Sequence, residues 1–177
     1  MMAECHHWLA SLPEPHGKLK AVQLKGRESL WKLGLPKRTL EQWRLTNLNR
    51  LKALLNLPLY SEEKRESKNI SHLFASPSKN SLRIIIDPLH DPLDSISLPN
   101  GIQALSESEI AAHLDQDLEN CSCTQDWLLA FNNASTSQLL ALKVMDQNLH
   151  QVELVMAANK GEVTPTRVLL IVEENAS

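Results

Sequence analysis

Cys121-Ser122-Cys123 is the tightest grouping of potential metal ligands in the chain, because two thiolates this close can share one soft cation. Two ligands do not make a site. A structural zinc site or an iron–sulfur cluster needs about four, and no second CxxC or HxxxH pair accompanies this one. The pair therefore reads as loop cysteines at the end of a helix. Cys5-His6-His7 sets three further ligands side by side on a terminus expected to be mobile, where adventitious binding of divalent metal is the expected chemistry. His72, His90, His113 and His150 each stand alone in sequence and read as surface or hydrogen-bonded polar residues.

Nucleophilic catalysis needs a Ser or Cys beside a base that a third group orients. No local signature supplies such a set: there is no GxSxG elbow, no HExxH and no GxxxxGK[ST]. Only five glycines are spread along the chain, so a phosphate-cradling loop is not expected. No catalytic and no metal-binding residue is assigned, and the chain is expected to be non-enzymatic and to bind no cofactor itself. Trp8, Trp31, Trp43 and Trp127 hold most of the aromatic area, and core packing is their expected role. Lys18, Lys20, Lys25, Arg27 and Lys32 read as the solvated face of a helix.

The elements that position these residues begin with a helix between Lys18 and Leu33. Leu19, Val22, Leu30 and Leu33 share one side of it, and Gly34-Leu35-Pro36 stops it. Thr46 or Asn47 can cap a second helix, with Leu48, Leu51, Leu54 and Leu55 as its face before Pro58. Ser61 to Asn80 is rich in Ser, Lys and Glu without periodicity and reads as a linker. Leu82 to Ile86 is a β-branched run closed by Asp87-Pro88, which predicts a strand and a turn. Ser106 with Glu109 forms the pattern of a capping box, opening a helix over Glu107 to Leu118 with Ile110, Ala111 and Leu114 inward. Leu139 to Val144, Val152 to Ala157 and Arg167 to Glu173 predict three strands. Lys160-Gly161 leaves both a hairpin and a parallel solenoid open.

Composition bounds the class. Among 177 residues, 42% are hydrophobic and 22% charged, as in an ordinary folded protein. With 18 basic against 21 acidic residues, the net charge of −3 gives no reason to expect nucleic acid or an anionic membrane as partner. No run approaches the roughly 18 apolar residues a membrane span needs. The first residues lack the pattern of a secretion signal, and three cysteines suit a reducing compartment, so a cytoplasmic location is expected.

Gly34 to Leu48, GLPKRTLEQWRLTNL, resembles the GLP-x-R-x-x-E-x-W-[KR]-Y-T-[DN]-L segment of the SufB/SufD family, scaffold subunits of iron–sulfur cluster assembly. Pro36, Arg38, Glu41, Trp43 and Thr46 are the matching signature positions, expected to be structural, and Leu45 stands where the family usually has Tyr. Leu82 to Asp87, Ser97 to Ile102, Ala130 to Ala134 and Pro165 to Ala176 resemble later family segments in order. The SufD branch fits better than SufB.

The resemblance implies an α+β fold. Residues 1–122 would form a mainly helical N-terminal domain with a short strand near 82–87, and residues 123–177 the first coils of a right-handed parallel β-helix, truncated after them. It also implies a non-catalytic scaffold acting through a SufC-type ATPase and a SufB-type subunit, with the iron–sulfur cluster assembled by the complex. Residues alone suggest that Arg38 and Glu41, spaced i,i+3, can pair if that turn is helical, and that Trp43 anchors a packing corner. Two rival readings are an independent adaptor with a β-solenoid edge and a small metal-dependent hydrolase using Cys121, Cys123 and His113.

Overall fold

Gly34 is where the first long amphipathic pattern has to stop, and the helix stops there. The computed structural model describes residues 2–59, 81–87, 90–94, 96–120, 126–145, 151–158, 161–174 and 176. Helix α2 spans Lys20–Leu33 after a 3₁₀ turn at Gly17–Leu19. Gly34 closes it at a φ of 62°, which a residue with a Cβ rarely adopts, and donates its N–H to Leu30 O at 2.9 Å. Leu19, Val22 and Leu30 are buried on the expected face.

Helix α3 spans Leu48–Leu54. Of its two expected caps, Asn47 takes the role: its side chain accepts from Asn49 N at 3.1 Å. Helix α4 spans Glu107–Asn120, and its capping box forms reciprocally. Ser106 N donates to Glu109 Oε2 at 2.8 Å, and Glu109 N donates to Ser106 Oγ at 3.4 Å. Ile110 and Leu114 are buried on one i,i+4 row, whereas Ala111, one residue round the helix, is exposed and so corrects its expected place inside.

Two helices go beyond the sequence reading. Helix α1 spans Met2–Ser11, and its Cys5, Trp8 and Leu9 are buried together with Leu12 just beyond it, so the expected mobile terminus is instead part of the core. Helix α5 spans Trp127–Ser135, capped by Asp126, whose carboxylate accepts from Leu129 N at 3.1 Å. It packs along α2, with Trp127, Ala130, Phe131, Asn133, Ala134 and Ser135 buried.

The strands are β1 (Ser81–Ile86), β2 (Ile102–Ala104), β3 (Gln138–Val144), β4 (Gln151–Met156) and β5 (Thr166–Val172). They form two sheets, β1-β4 and β2-β3-β5. β3 and β5 run parallel, Gln138 opposite Thr166 through Val144 opposite Val172, while β1 and β4 run parallel with Ser81 opposite Gln151. β2 joins β3 antiparallel, Ile102 opposite Val144. β4 and β5 therefore lie in different sheets, and Gly161, with a φ of 86°, turns the chain between sheets without closing a hairpin.

Three apolar clusters hold these layers together. The first joins α1, α2, α3 and α5 through Trp8, Leu30, Leu51 and Trp127. The second sets Leu19 and Val22 against Leu105, Ile110, Leu114 and Ala141. The third, Ile84, Ile86, Ile102, Leu140 and Leu142, lies between the two sheets. Each takes residues from both sides of position 122. The protein is an α+β structure, and among the described residues no helix is long and apolar enough to cross a membrane. The expected linker at Ser61 to Asn80 and the Cys121-Ser122-Cys123 segment lie outside the described residues.

Candidate functional site

The segment after Gly34 becomes a corner because its two bulky apolar residues turn inward and its charged ones outward. Pro36 and Trp43 are buried, and Arg38 and Glu41 are exposed. Glu41 pairs with Arg44 at 3.4 Å, in place of the expected partner Arg38, because the 3₁₀ turn Glu41–Trp43 brings position 44 back over 41. Thr46 is half-buried and donates its backbone N–H to Trp43 O at 3.1 Å, leaving the cap to Asn47.

Trp43 meets the edge of Trp127 at 6.4 Å between ring centroids and 88° between planes. Trp127 then stacks on Phe131 at 5.2 Å, and Phe131 on Trp8 at 4.6 Å, so one aromatic row links the corner to α5 and α1. The indole Nε1 of Trp127 donates to Gly34 O at 2.8 Å, which satisfies both buried groups. Trp31 departs from the expected core role: it is 57% exposed, with the His6 ring stacked on it at 3.6 Å.

A polar seam runs down the other end of α2 and α5. Gln23 Nε2 donates to Thr136 O at 2.8 Å and its Oε1 accepts from His16 N at 3.0 Å. Asn132 Nδ2 donates to Thr166 O at 3.2 Å, and Arg167 Nη1 donates to Asn133 Oδ1 at 2.8 Å, which ties α5 to β5. Beside the seam a small cleft is lined by His16, Gln23, Arg27, Thr136 and Pro165. Arg27 donates Nη2 to Pro13 O, and burial lowers its pKa while Glu14 opposes that shift. Arg27 thus turns toward the cleft, whereas Lys18, Lys20 and Lys32 keep the exposed face expected of the basic cluster. The cavity volume is about 50 Å³. That is room for water and far below the several hundred Å³ of a substrate pocket.

Two serine hydroxyls are engaged in local structural bonds. Ser11 Oγ donates to Trp8 O and Ser135 Oγ to Phe131 O, both at 2.7 Å. Cys5 is fully buried, and burial raises its thiol pKa, so the thiolate that nucleophilic or ligand chemistry requires is disfavoured. His90 does not stand alone: its Nδ1 lies 3.1 Å from Oδ2 of Asp87, the residue after β1. Among the described residues no three His, Cys, Asp or Glu side chains gather as metal ligands. Cys121, Cys123, His72 and His150 lie outside those residues, and His113 is half-buried on α4.

The chemistry of this arrangement is adhesion between elements. Its main positioning residues beyond the sequence signature are Trp127, Asn132, Asn133 and Gly26. A Cβ on Gly26 would lie 2.3 Å from Ala134 N, so its backbone touches α5 directly. A glycine inside a helical pattern was the available signal for that contact. No family model matches the chain, and no curated protein or solved structure is significantly similar to it.

Proposed function

We propose that the chain is the N-terminal portion of a SufD-type scaffold, a non-catalytic cytoplasmic subunit that works through contacts with a SufC-type ATPase and a SufB-type subunit. In this reading the iron–sulfur cluster is the product assembled by the complex, and no residue of this chain is assigned to it. The observation that carries the reading is the path of the strands. β3 and β5 lie parallel in one sheet, and β4, which separates them in sequence, pairs parallel with β1 in the other.

From β3 onward the chain alternates between two sheets, with β4 parallel on β1 and β5 parallel on β3, which is the path of a solenoid coil, while β2 lies antiparallel on β3. That path agrees with the β-helix the sequence resemblance implies. The buried Pro36 and Trp43 give the signature segment a packing role, which suits a scaffold better than a reaction site. The test mixes the purified full-length protein with a SufC-type ATPase and a SufB-type subunit and follows elution by size. A joint peak containing all three is expected; separate elution of this protein from both partners rejects the reading.

A further inference from the structure

Of the five glycines in the chain, only one follows an asparagine: Asn100-Gly101. The pair fills the two central positions of the turn that leads into β2. Ile102 N donates to Pro99 O at 3.1 Å and closes the turn, and Gly101 holds its third position at a φ of 86°, the left-handed value that a type II turn requires there. Both ends of the turn are anchored. Ile102 is 3% exposed within the apolar cluster between the sheets, and Met145 N donates to Gly101 O at 2.8 Å, one step beyond the β2–β3 register.

The peptide between Asn100 and Gly101 is not held in this way. Asn100 is exposed, and among the described residues neither its side chain nor its carbonyl has a hydrogen-bond partner, nor does the N–H of Gly101. A carboxamide therefore stands next to a backbone nitrogen that nothing else engages. Gly101 has no Cβ to obstruct the approach of the preceding side chain, and its backbone freedom lets the intervening peptide plane rotate. Asn56 makes the contrast: it is equally exposed, but the residue after it is Leu57, whose N–H is tied to Leu54 O at 3.2 Å.

We propose that Asn100-Gly101 is a self-modifying site, where the asparagine converts to aspartate and isoaspartate through a cyclic imide. Gly101 N gives up its proton and attacks Cγ of Asn100. The new N–Cγ bond closes a succinimide ring, the Cγ–Nδ2 bond breaks, and the side-chain nitrogen leaves as ammonia with that proton. Water then opens the ring. Attack at Cγ breaks its bond to Gly101 N and restores the ordinary backbone with an aspartate side chain. Attack at the backbone carbonyl carbon leaves the chain running through Cγ, which is isoaspartate, with an added methylene in the main chain. The products act differently on the fold. Aspartate keeps the length of the turn, whereas isoaspartate lengthens the path from Pro99 to Ile102, so the closing bond, the Met145–Gly101 bond and the buried Ile102 cannot all be kept. β2 has only three residues with which to hold β3, and modification thus releases it in one direction.

The experiment incubates the purified full-length protein at physiological temperature and mildly alkaline pH and follows it by peptide mapping that separates the three forms. A synthetic peptide spanning Ser97 to Ala104 supplies the unhindered rate. Conversion at Asn100 should run within about tenfold of the peptide's rate, with Asn56 intact and Asn100→Gln inert, because the longer side chain closes its ring far more slowly. In the isolated isoaspartate form the amides of Ile102 and Met145 should exchange hydrogen at least about tenfold faster than in the parent, and in the aspartate form at the parent rate. Retention of Asn100 after the peptide has converted, equal conversion at Asn56, or unchanged exchange in the isoaspartate form would overturn the proposal. The inference goes beyond the scaffold reading and rests on this turn alone, so its failure leaves binding to the ATPase and to the SufB-type subunit untouched.

Discussion

Replacing Gly26 by Ala puts the α2–α5 contact under a defined load. The new Cβ would lie 2.3 Å from Ala134 N, 2.7 Å from Asn133 C and 2.8 Å from Asn133 Cβ. Ordinary contacts are about 3.5–4.0 Å, so the helices must part by roughly an ångström, and the two nearest atoms are backbone that cannot rotate away. Separation would stretch Gln23 Nε2 to Thr136 O at one end of the contact and Trp127 Nε1 to Gly34 O at the other, both 2.8 Å. Overpacking of this kind costs about 1–3 kcal/mol, with backbone obstruction placing it at or above the top of that range. Ala regains about 1 kcal/mol of helix propensity over Gly. The net loss is about 2 kcal/mol, a fall in Tm of about 4–8 °C for a chain of this length. Thermal unfolding followed by circular dichroism reads it directly. A Tm equal to or above the parent's would refute the close-approach argument, because propensity alone would then decide the outcome.

Three further outcomes follow from named contacts. Trp127→Phe keeps the stacking on Phe131 but leaves Gly34 O without its donor, and should lose about 1–3 kcal/mol in urea unfolding. Asn47→Ala should cost about 0.5–2 kcal/mol as a lost cap, whereas Thr46→Ala should stay within about 0.5 kcal/mol; equal effects would mean the cap is wrongly assigned. Glu109 has its pKa held below the usual carboxylate value, first by the hydrogen bond from the Ser106 hydroxyl and then by that from Ser106 N. A depressed folded pKa gives stability that is full above the unfolded pKa and is lost as pH falls through the folded one. Glu109→Gln should therefore flatten the acid limb of stability against pH, and an unchanged limb would assign that limb to other carboxylates.

The elements most legible in sequence were those whose signals are local. Gly34 stops α2 by its own backbone freedom, Ser106 and Glu109 cap α4 within one turn, and short apolar runs mark β1, β3 and β5. What was hidden depends on contacts distant in sequence. α5 carries two asparagines and a serine, which weaken a helical pattern until Gly26 and Gln23 are brought against it. α1 has Cys5, Trp8, Leu9 and Leu12 at helical spacing, but Cys5-His6-His7 in its first turns is equally the pattern of a metal-binding terminus. The choice between hairpin and parallel stacking for β4 and β5 turns on which sheet receives each strand, and Gly161 permits either path. In the candidate site, Trp43 was legible as an anchor because its size favours burial, and Pro36 as a helix stop. The partner of Glu41 was not: i,i+3 spacing pointed to Arg38, and a 3₁₀ turn brings Arg44 to Glu41 instead.

The central claim is that this chain is a scaffold whose work is done through other subunits. Purifying the tagged full-length protein from its own cells and quantifying what accompanies it by mass spectrometry measures that claim most directly. The scaffold reading expects a SufC-type ATPase and a SufB-type subunit in stoichiometric amounts. Recovery of the protein with neither would contradict it.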